Sequence, residues 1–132
     1  MELKLLPTKS DLNKIEKWLI NGGCFYCNWN VIKKAFHKGN LLTLNHKNIV
    51  VGFVVWCGIE PHAQISIMEI KPGYRNKGNG RVLFYQVSEF LKKEGFLSVK
   101  ILCRPVTSKG FWEKMGFTPI PDTESNYYKS LI

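Results

Sequence analysis

The segment from Ile65 to Phe84 constrains the fold of this chain more than any other. Ile65-Ser-Ile-Met-Glu-Ile-Lys71 reads as the end of a strand, and Pro72-Gly73 breaks it. Leu83, Val87, Phe90 and Leu91 then fall at helical spacing, and Gly95 ends the helix. Between strand and helix lies a loop that carries Arg75, Lys77, Gly78, Asn79, Gly80 and Arg81. At the start of a helix, backbone N–H groups without intrahelical partners converge beside the positive end of the helix dipole. Such a place binds phosphate. Gly78 and Gly80 lack a Cβ, so an anion can approach the main chain closely. Lys71, Arg75, Lys77 and Arg81 surround the loop with charge, and residues 71–81 contain no acid.

Two common phosphate motifs do not fit. Gly73 and Gly78 have the spacing of a P-loop, but Asn79-Gly80 stands where Lys-Ser/Thr is required. Gly78-Asn-Gly80 has no third glycine at Leu83, and no strand-borne acid follows near position 100, so the dinucleotide fingerprint also fails.

The remaining elements place this unit in a mixed sheet. Residues 2–6 read as a strand ended by Pro7. Thr8 caps a helix, with Asp11 completing a capping-box-like start, and Leu12, Ile15 and Leu19 give it one apolar face. Asn21-Gly22-Gly23 stops it, and a second helix runs from Asn28 or Asn30 to Lys38, before Gly39. Leu41–Leu44 and Ile49–Cys57 form a hairpin around residues 45–48, and a strand from Gln64 to Lys71 follows a turn at Glu60-Pro61. After the long helix come a strand through Leu97, Val99, Ile101 and Cys103, a short helix over Ser108–Met115 closed by Gly116, and two strands in the tail. The last of these is Tyr127 to Ile132. The order β-α-α-β-β-β-α-β-α-β-β specifies an α/β fold: one mixed sheet with helices on both faces. At 132 residues the chain makes one domain, 1–132, with enough core to need no staple.

Composition narrows the function. Nineteen Lys and Arg against ten Asp and Glu give a net charge of +9, which favours anionic partners. With the four cations of residues 71–81 set aside, fifteen basic residues face ten acidic ones. That surplus is spread along the chain without interleaved aromatics, so only weak, salt-sensitive nucleic-acid binding is expected. Cys24 and Cys27 form a Cys-x-x-Cys pair, but His37, His46 and His62 supply no matching second pair, and no metal site is expected. Cys57 and Cys103 lie in apolar runs where a buried thiol is expected. The longest uncharged apolar run, Ile49 to Ile59, is too short to span a membrane. The opening Met-Glu-Leu-Lys-Leu-Leu-Pro lacks the pattern of a signal peptide, so the expected location is cytoplasmic.

Arg75-x-x-Gly78-x-Gly80 after a strand resembles the acetyl-CoA loop of the GNAT superfamily of N-acetyltransferases. Phe111-Trp-Glu-Lys-Met-Gly-Phe117 is similar to that superfamily's aromatic-Glu-Lys-x-Gly-Phe segment, and the element order agrees over nearly the whole chain. The resemblance implies a mostly antiparallel sheet in which the strand before the loop and the next parallel strand, Ser98 to Arg104, splay apart around the pantetheine arm. It also implies that the main chains of Met68, Glu69 and Ile70 pair with that arm. The pyrophosphate then sits on the N–H groups of Asn76, Lys77, Gly78, Asn79, Gly80 and Arg81. The implied activity is acetyl transfer from acetyl-CoA to an amine, on a small molecule or a protein, by a monomer or a homodimer.

The chain departs from the family at two places. Trp112 stands where the family has a tyrosine that protonates the departing thiolate, and indole has no such acidity. Pro105 or a neighbour stands where asparagine is common. Tyr127, Tyr128 or Cys103 can serve as acid instead. Glu69 interrupts the apolar run Ile65–Ile70, and desolvation there raises a carboxylate's pKa toward that of a general base. The alternative is a Glu69 satisfied by Lys71, Arg104 or a helix terminus. Glu60 and His62 are weaker candidates, and Glu113 is structural. Residues 20–30, with Cys24, Phe25, Tyr26, Cys27 and Trp29, are expected to build a partly apolar acceptor pocket. They hold no acidic cluster for a polycation. Two other functions stay open: a CoA-binding module without turnover, and a tRNA-directed acetyltransferase.

Overall fold

The computed structural model describes residues 1–22, 25–102, 108–121 and 126–132, with the backbone alone at 25–27. In chain order the elements are β1 (Glu2–Lys4), α1 (Lys9–Gly22), α2 (Phe25–Lys38), β2 (Leu41–His46), β3 (Ile49–Ile59), β4 (His62–Ile70), α3 (Asn79–Lys93), β5 (Ser98–Leu102), α4 (Lys109–Lys114), β6 (Thr118–Pro119) and β7 (Asn126–Ser130). The strands stand in the order β1-β2-β3-β4-β5-β7-β6. β4 and β5 are parallel, while β1·β2, β2·β3, β5·β7 and β6·β7 are antiparallel. This is the expected element order and the expected mixed sheet. No helix among the described residues is long and apolar enough to cross a membrane.

Several boundaries differ from the sequence reading. β1 stops at Lys4, and Leu5 and Leu6 are exposed. α1 runs through Asn21 into Gly22, and α2 begins at Phe25, because nothing in Phe25-Tyr-Cys27 opposes a helix. β3 continues to Ile59 and β4 begins at His62, so the hairpin turns tightly on Glu60-Pro61, which is a cis peptide. Cys57 is exposed rather than buried, because β3 beyond Trp56 passes out of the core. The last strand ends at Ser130.

The chain divides into two units, Met1–Trp56 with Ile67–Gln86, and Cys57–Ser66 with Val87–Ile132. In the first, the capping box forms as the sequence predicts. The Thr8 N–H donates to Asp11 Oδ2 at 2.8 Å and the Asp11 N–H to Thr8 Oγ1 at 3.2 Å. Asp11 also receives Lys4 Nζ at 3.1 Å and Asn45 Nδ2 at 3.0 Å, which ties β1, β2 and α1 through one buried carboxylate. Leu12, Ile15, Trp18 and Leu19 of α1 and Ile32 and Ala35 of α2 pack on Leu41, Val50, Phe53 and Val55. Phe53 thus faces α1 and α2, with its ring 5.8 Å from that of Trp18. Its neighbour Gly52 must face the other way. There a Cβ would meet Ile70 Cδ1 at 2.8 Å and Leu83 Cδ2 of α3 at 3.2 Å. Helices therefore cover both faces of β3.

In the second unit, β4 and β5 pair from His62↔Ser98 to Ile65↔Ile101, and β5 pairs with β7 from Ser98↔Ser130 to Leu102↔Asn126. Ala63, Ile65, Val99, Ile101 and Tyr127 are buried. Gln64, Lys100 and Tyr128 form a row on the opposite side of the strands. Trp112 of α4 is buried, with ring centroids 4.9 Å from Phe111 and 5.1 Å from Phe117.

Candidate functional site

β4 changes character along its length. Its ladder with β5 ends at Ile65↔Ile101 among the described residues. Burial alternates as far as Ser66, and from Ile67 to Ile70 every residue is half-buried. The strand stays on β3, since the Lys71 N–H donates to the Val51 carbonyl at 2.8 Å. Next comes a turn closed by the Tyr74 N–H on the Lys71 carbonyl at 2.9 Å. Pro72 presets its first corner, and Gly73, at φ 91°, supplies the positive φ that the second requires.

The loop then alternates in hand. Asn76 has φ 60° and Gly78 φ 83°, while Arg75 before them and Lys77 between them stay at negative φ. Alternation of this kind turns successive N–H groups to one side and makes an anion-binding concavity. A Cβ on Gly78 would meet nothing within 4 Å, so the space over that main chain is open. The Val82 N–H donates to the Gly78 carbonyl at 3.2 Å and starts α3. The N-terminus of a helix of 15 residues follows directly on this stretch.

Side chains hold this path. Arg75 Nε donates to the Ile70 carbonyl at 2.8 Å, and Asn79 Nδ2 donates to the Tyr74 carbonyl at 2.8 Å. Lys71 Nζ lies 5.7 Å from the centre of the Tyr74 ring. Arg75, Lys77 and Arg81 are exposed and keep their charge in reach of an anion. The glycines and cations are legible in the sequence. The left-handed Asn76 and the buried Asn79 carboxamide are not, although asparagine is the residue type other than glycine that most readily takes either part.

Glu69 stands just before this loop. Burial pushes its carboxyl above the usual carboxylate range, and the Arg75 charge pulls it back without cancelling the rise. The cation acting on Glu69 is therefore Arg75, and Lys71 lies instead against Tyr74. Ile67 packs against the cluster formed by α1, α2 and β3, as do Trp29 and Phe36. Glu69, two residues on, shares that face of β4. Met68 and Ile70 alternate with it, and Ile70 reaches the side of Gly52.

The other expected site residues divide three ways. Trp112, Tyr127 and Tyr128 belong to the second unit, where Trp112 and Tyr127 are core residues and Tyr128 is exposed. Tyr128 lines a cavity of about 1070 Å³ with Cys57, His62, Ser98 and Lys100, and His62 Nδ1 lies 2.7 Å from Ser98 Oγ. Glu60 also lies in this unit, with Oε1 2.7 Å from where a Cβ on Gly95 would stand. Cys24, Cys103, Arg104 and Pro105 lie outside the described residues, as do the side chains of Phe25, Tyr26 and Cys27. Among the described residues no three His, Cys, Asp or Glu side chains come together as metal ligands do.

Residues 18–117 match the family model described as Acetyltransferase (GNAT) family. An uncharacterized N-acetyltransferase of Bacillus cereus strain B4264 is 28% identical over 68 residues, which are 52% of this chain and 40% of that protein. The match thus spans less than half of that relative's length. Among solved structures, the PaiA N-acetyltransferase of Thermoplasma acidophilum in complex with coenzyme A aligns at a TM-score of 0.76 and 18% identity, over 98% of this chain and 99% of that one. The GNAT family N-acetyltransferase YhbS of Escherichia coli in complex with CoA aligns at 0.75 and 15%, over 99% and 81%. At such identities the likeness is one of fold.

Proposed function

The chain belongs to the Acetyltransferase (GNAT) family, and on that premise we propose that it moves an acetyl group from acetyl-CoA to an amine. The observation that carries this reading is the alternation of backbone hand over Arg75–Gly78, set between the end of β4 and the start of α3. The N–H groups of Asn76 to Arg81 receive the pyrophosphate, and Arg75, Lys77 and Arg81 balance its charge. The main chain of Met68, Glu69 and Ile70 aligns the pantetheine arm. Acetyl-CoA supplies an acyl group already activated as a thioester. Glu69 takes a proton from the acceptor's ammonium, and the freed amine then attacks the thioester carbonyl. A carboxylate raised by burial suits that work, being more basic than an exposed one. Trp112 delivers no proton to the leaving sulfur, but a thiolate departs near neutral pH without help. Acceptors with an apolar body suit the aromatic stretch before Trp29 better than polycations do.

The test is incubation with acetyl-CoA and a broad panel of amines while released thiol is titrated. Thiol release that depends on one class of amine supports transfer. The burial of Trp112 at the family's tyrosine position favours a second reading, a CoA-binding module without turnover. Equal thermal stabilisation by CoA and acetyl-CoA, with no thiol released across the panel, selects that reading and ends the first.

A further inference from the structure

We propose that Asn79 is a positioning residue for the phosphate loop, its carboxamide fixing on the Tyr74 carbonyl the curvature that turns the loop's N–H groups toward the pyrophosphate of CoA. The proposal rests on the reading that this loop takes the cofactor's phosphates. Asn79 is 8% exposed, so its carboxamide is withdrawn from water and needs partners within the protein. Its Nδ2 finds one five residues back, at 2.8 Å on Tyr74. A carbonyl only accepts, so the NH₂ end of the carboxamide is the end that faces it.

The backbone fastens the loop on either side of this tie. Tyr74 donates to Lys71 before it, and Val82 donates to Gly78 after it. The stretch between contains the left-handed Asn76 and Gly78, whose positive φ values set the path of the loop. The bond from Asn79 to Tyr74 spans both residues. It closes the loop from the helix side, as Arg75 Nε on the Ile70 carbonyl closes it from the strand side. Asn79 thus serves the ligand through the backbone: its side chain is spent on Tyr74, and the concavity is formed by main-chain groups.

The test compares CoA with pantetheine, which has the same arm but no pyrophosphate or ribose phosphate. Asn79→Leu keeps the size of the side chain and removes the donor, and Asn79→Ala is the second variant should the first not fold. Dissociation constants are measured for both ligands with wild type and variant. The variant should bind CoA about five- to tenfold more weakly, the worth of one hydrogen bond. Its affinity for pantetheine should stay within twofold of wild type. In turnover, KM for acetyl-CoA should rise while kcat holds within twofold. Equal weakening toward both ligands, or unchanged CoA affinity, would overturn the proposal, since a merely structural residue does not distinguish them. The control is wild type itself. If it binds CoA no tighter than pantetheine, the phosphates lie elsewhere and the reading of the loop fails along with the role of Asn79.

Discussion

Gly52 offers the sharpest test of how the site is packed. It lies in the middle of β3, fully inside the first unit, and it needs no unusual backbone. Space is what excludes a side chain there. A Cβ would sit 2.8 Å from Ile70 Cδ1, 2.9 Å from the Glu69 carbonyl oxygen and 3.2 Å from Leu83 Cδ2. The two methyl carbons can swing aside, but the carbonyl belongs to β4 and moves only with the strand. Gly52→Ala should therefore cost about 1–3 kcal/mol, the range for overpacking a well-filled core. Near this chain length each kcal/mol lowers the thermal midpoint by roughly 4 °C, so a fall of about 4–12 °C is expected by calorimetry or circular dichroism. Pairing it with Ile70→Val, which removes Cδ1, should recover only part of the loss. A midpoint within about 1 °C of wild type would refute the steric argument, and so would full recovery in the double variant, which would shift the limit from the carbonyl to the methyl. The strand displaced is the one that carries Glu69, so kcat should fall along with stability.

Glu69→Gln should lower kcat about 10²–10⁴-fold, the usual worth of a general base. Since burial raises the Glu69 carboxyl, wild-type rate should fall as pH drops through that raised value, and the variant should lose this acid limb. Asp11→Ala should cost about 2–4 kcal/mol by removing a cap and stranding the Asn45 amide. Burial pushes the Asp11 carboxyl up, but its hydrogen bonds to Thr8, Lys4 and Asn45 outweigh that and hold it below the usual carboxylate range. Its stabilisation is then complete above the unfolded value near ~3.9 and fades as pH falls through the folded one, so acid unfolding of the variant should be less steep. Gly78→Val should weaken CoA binding at least ~10-fold by forcing a β-branched residue to φ 83°, and near-normal affinity in a folded variant would relocate the phosphates. Filter binding of tRNA and of a random duplex should show weak retention that vanishes toward physiological salt, and tight, salt-resistant retention of one RNA would instead support an RNA-borne acceptor.

The features legible along the chain follow from local chemistry. The order of elements, the Thr8–Asp11 capping box, the glycine stops at Gly39, Gly95 and Gly116 and the apolar face of α1 all depend on neighbours within about one turn. Periodicity and turn residues record such things directly. The loop proposed to bind phosphate is picked out for the same reason, since its glycines, cations and strand-to-helix setting are contiguous. The tertiary structure decided what depends on distant partners. Gly52 is bound to be glycine chiefly by the Glu69 carbonyl of β4, which is not near it in sequence. Glu69 is tuned by burial and by Arg75 rather than Lys71, although Lys71 is the closer in sequence. Cys57 sits in an apolar run and yet is exposed, because a strand's composition does not record where it leaves the core. The sequence assigns a part to the Asn79 N–H but none to its side chain, until the fold brings the Tyr74 carbonyl to its amide. Spacing tells which groups share a face, but a contact also needs the second chain segment, and only packing supplies that.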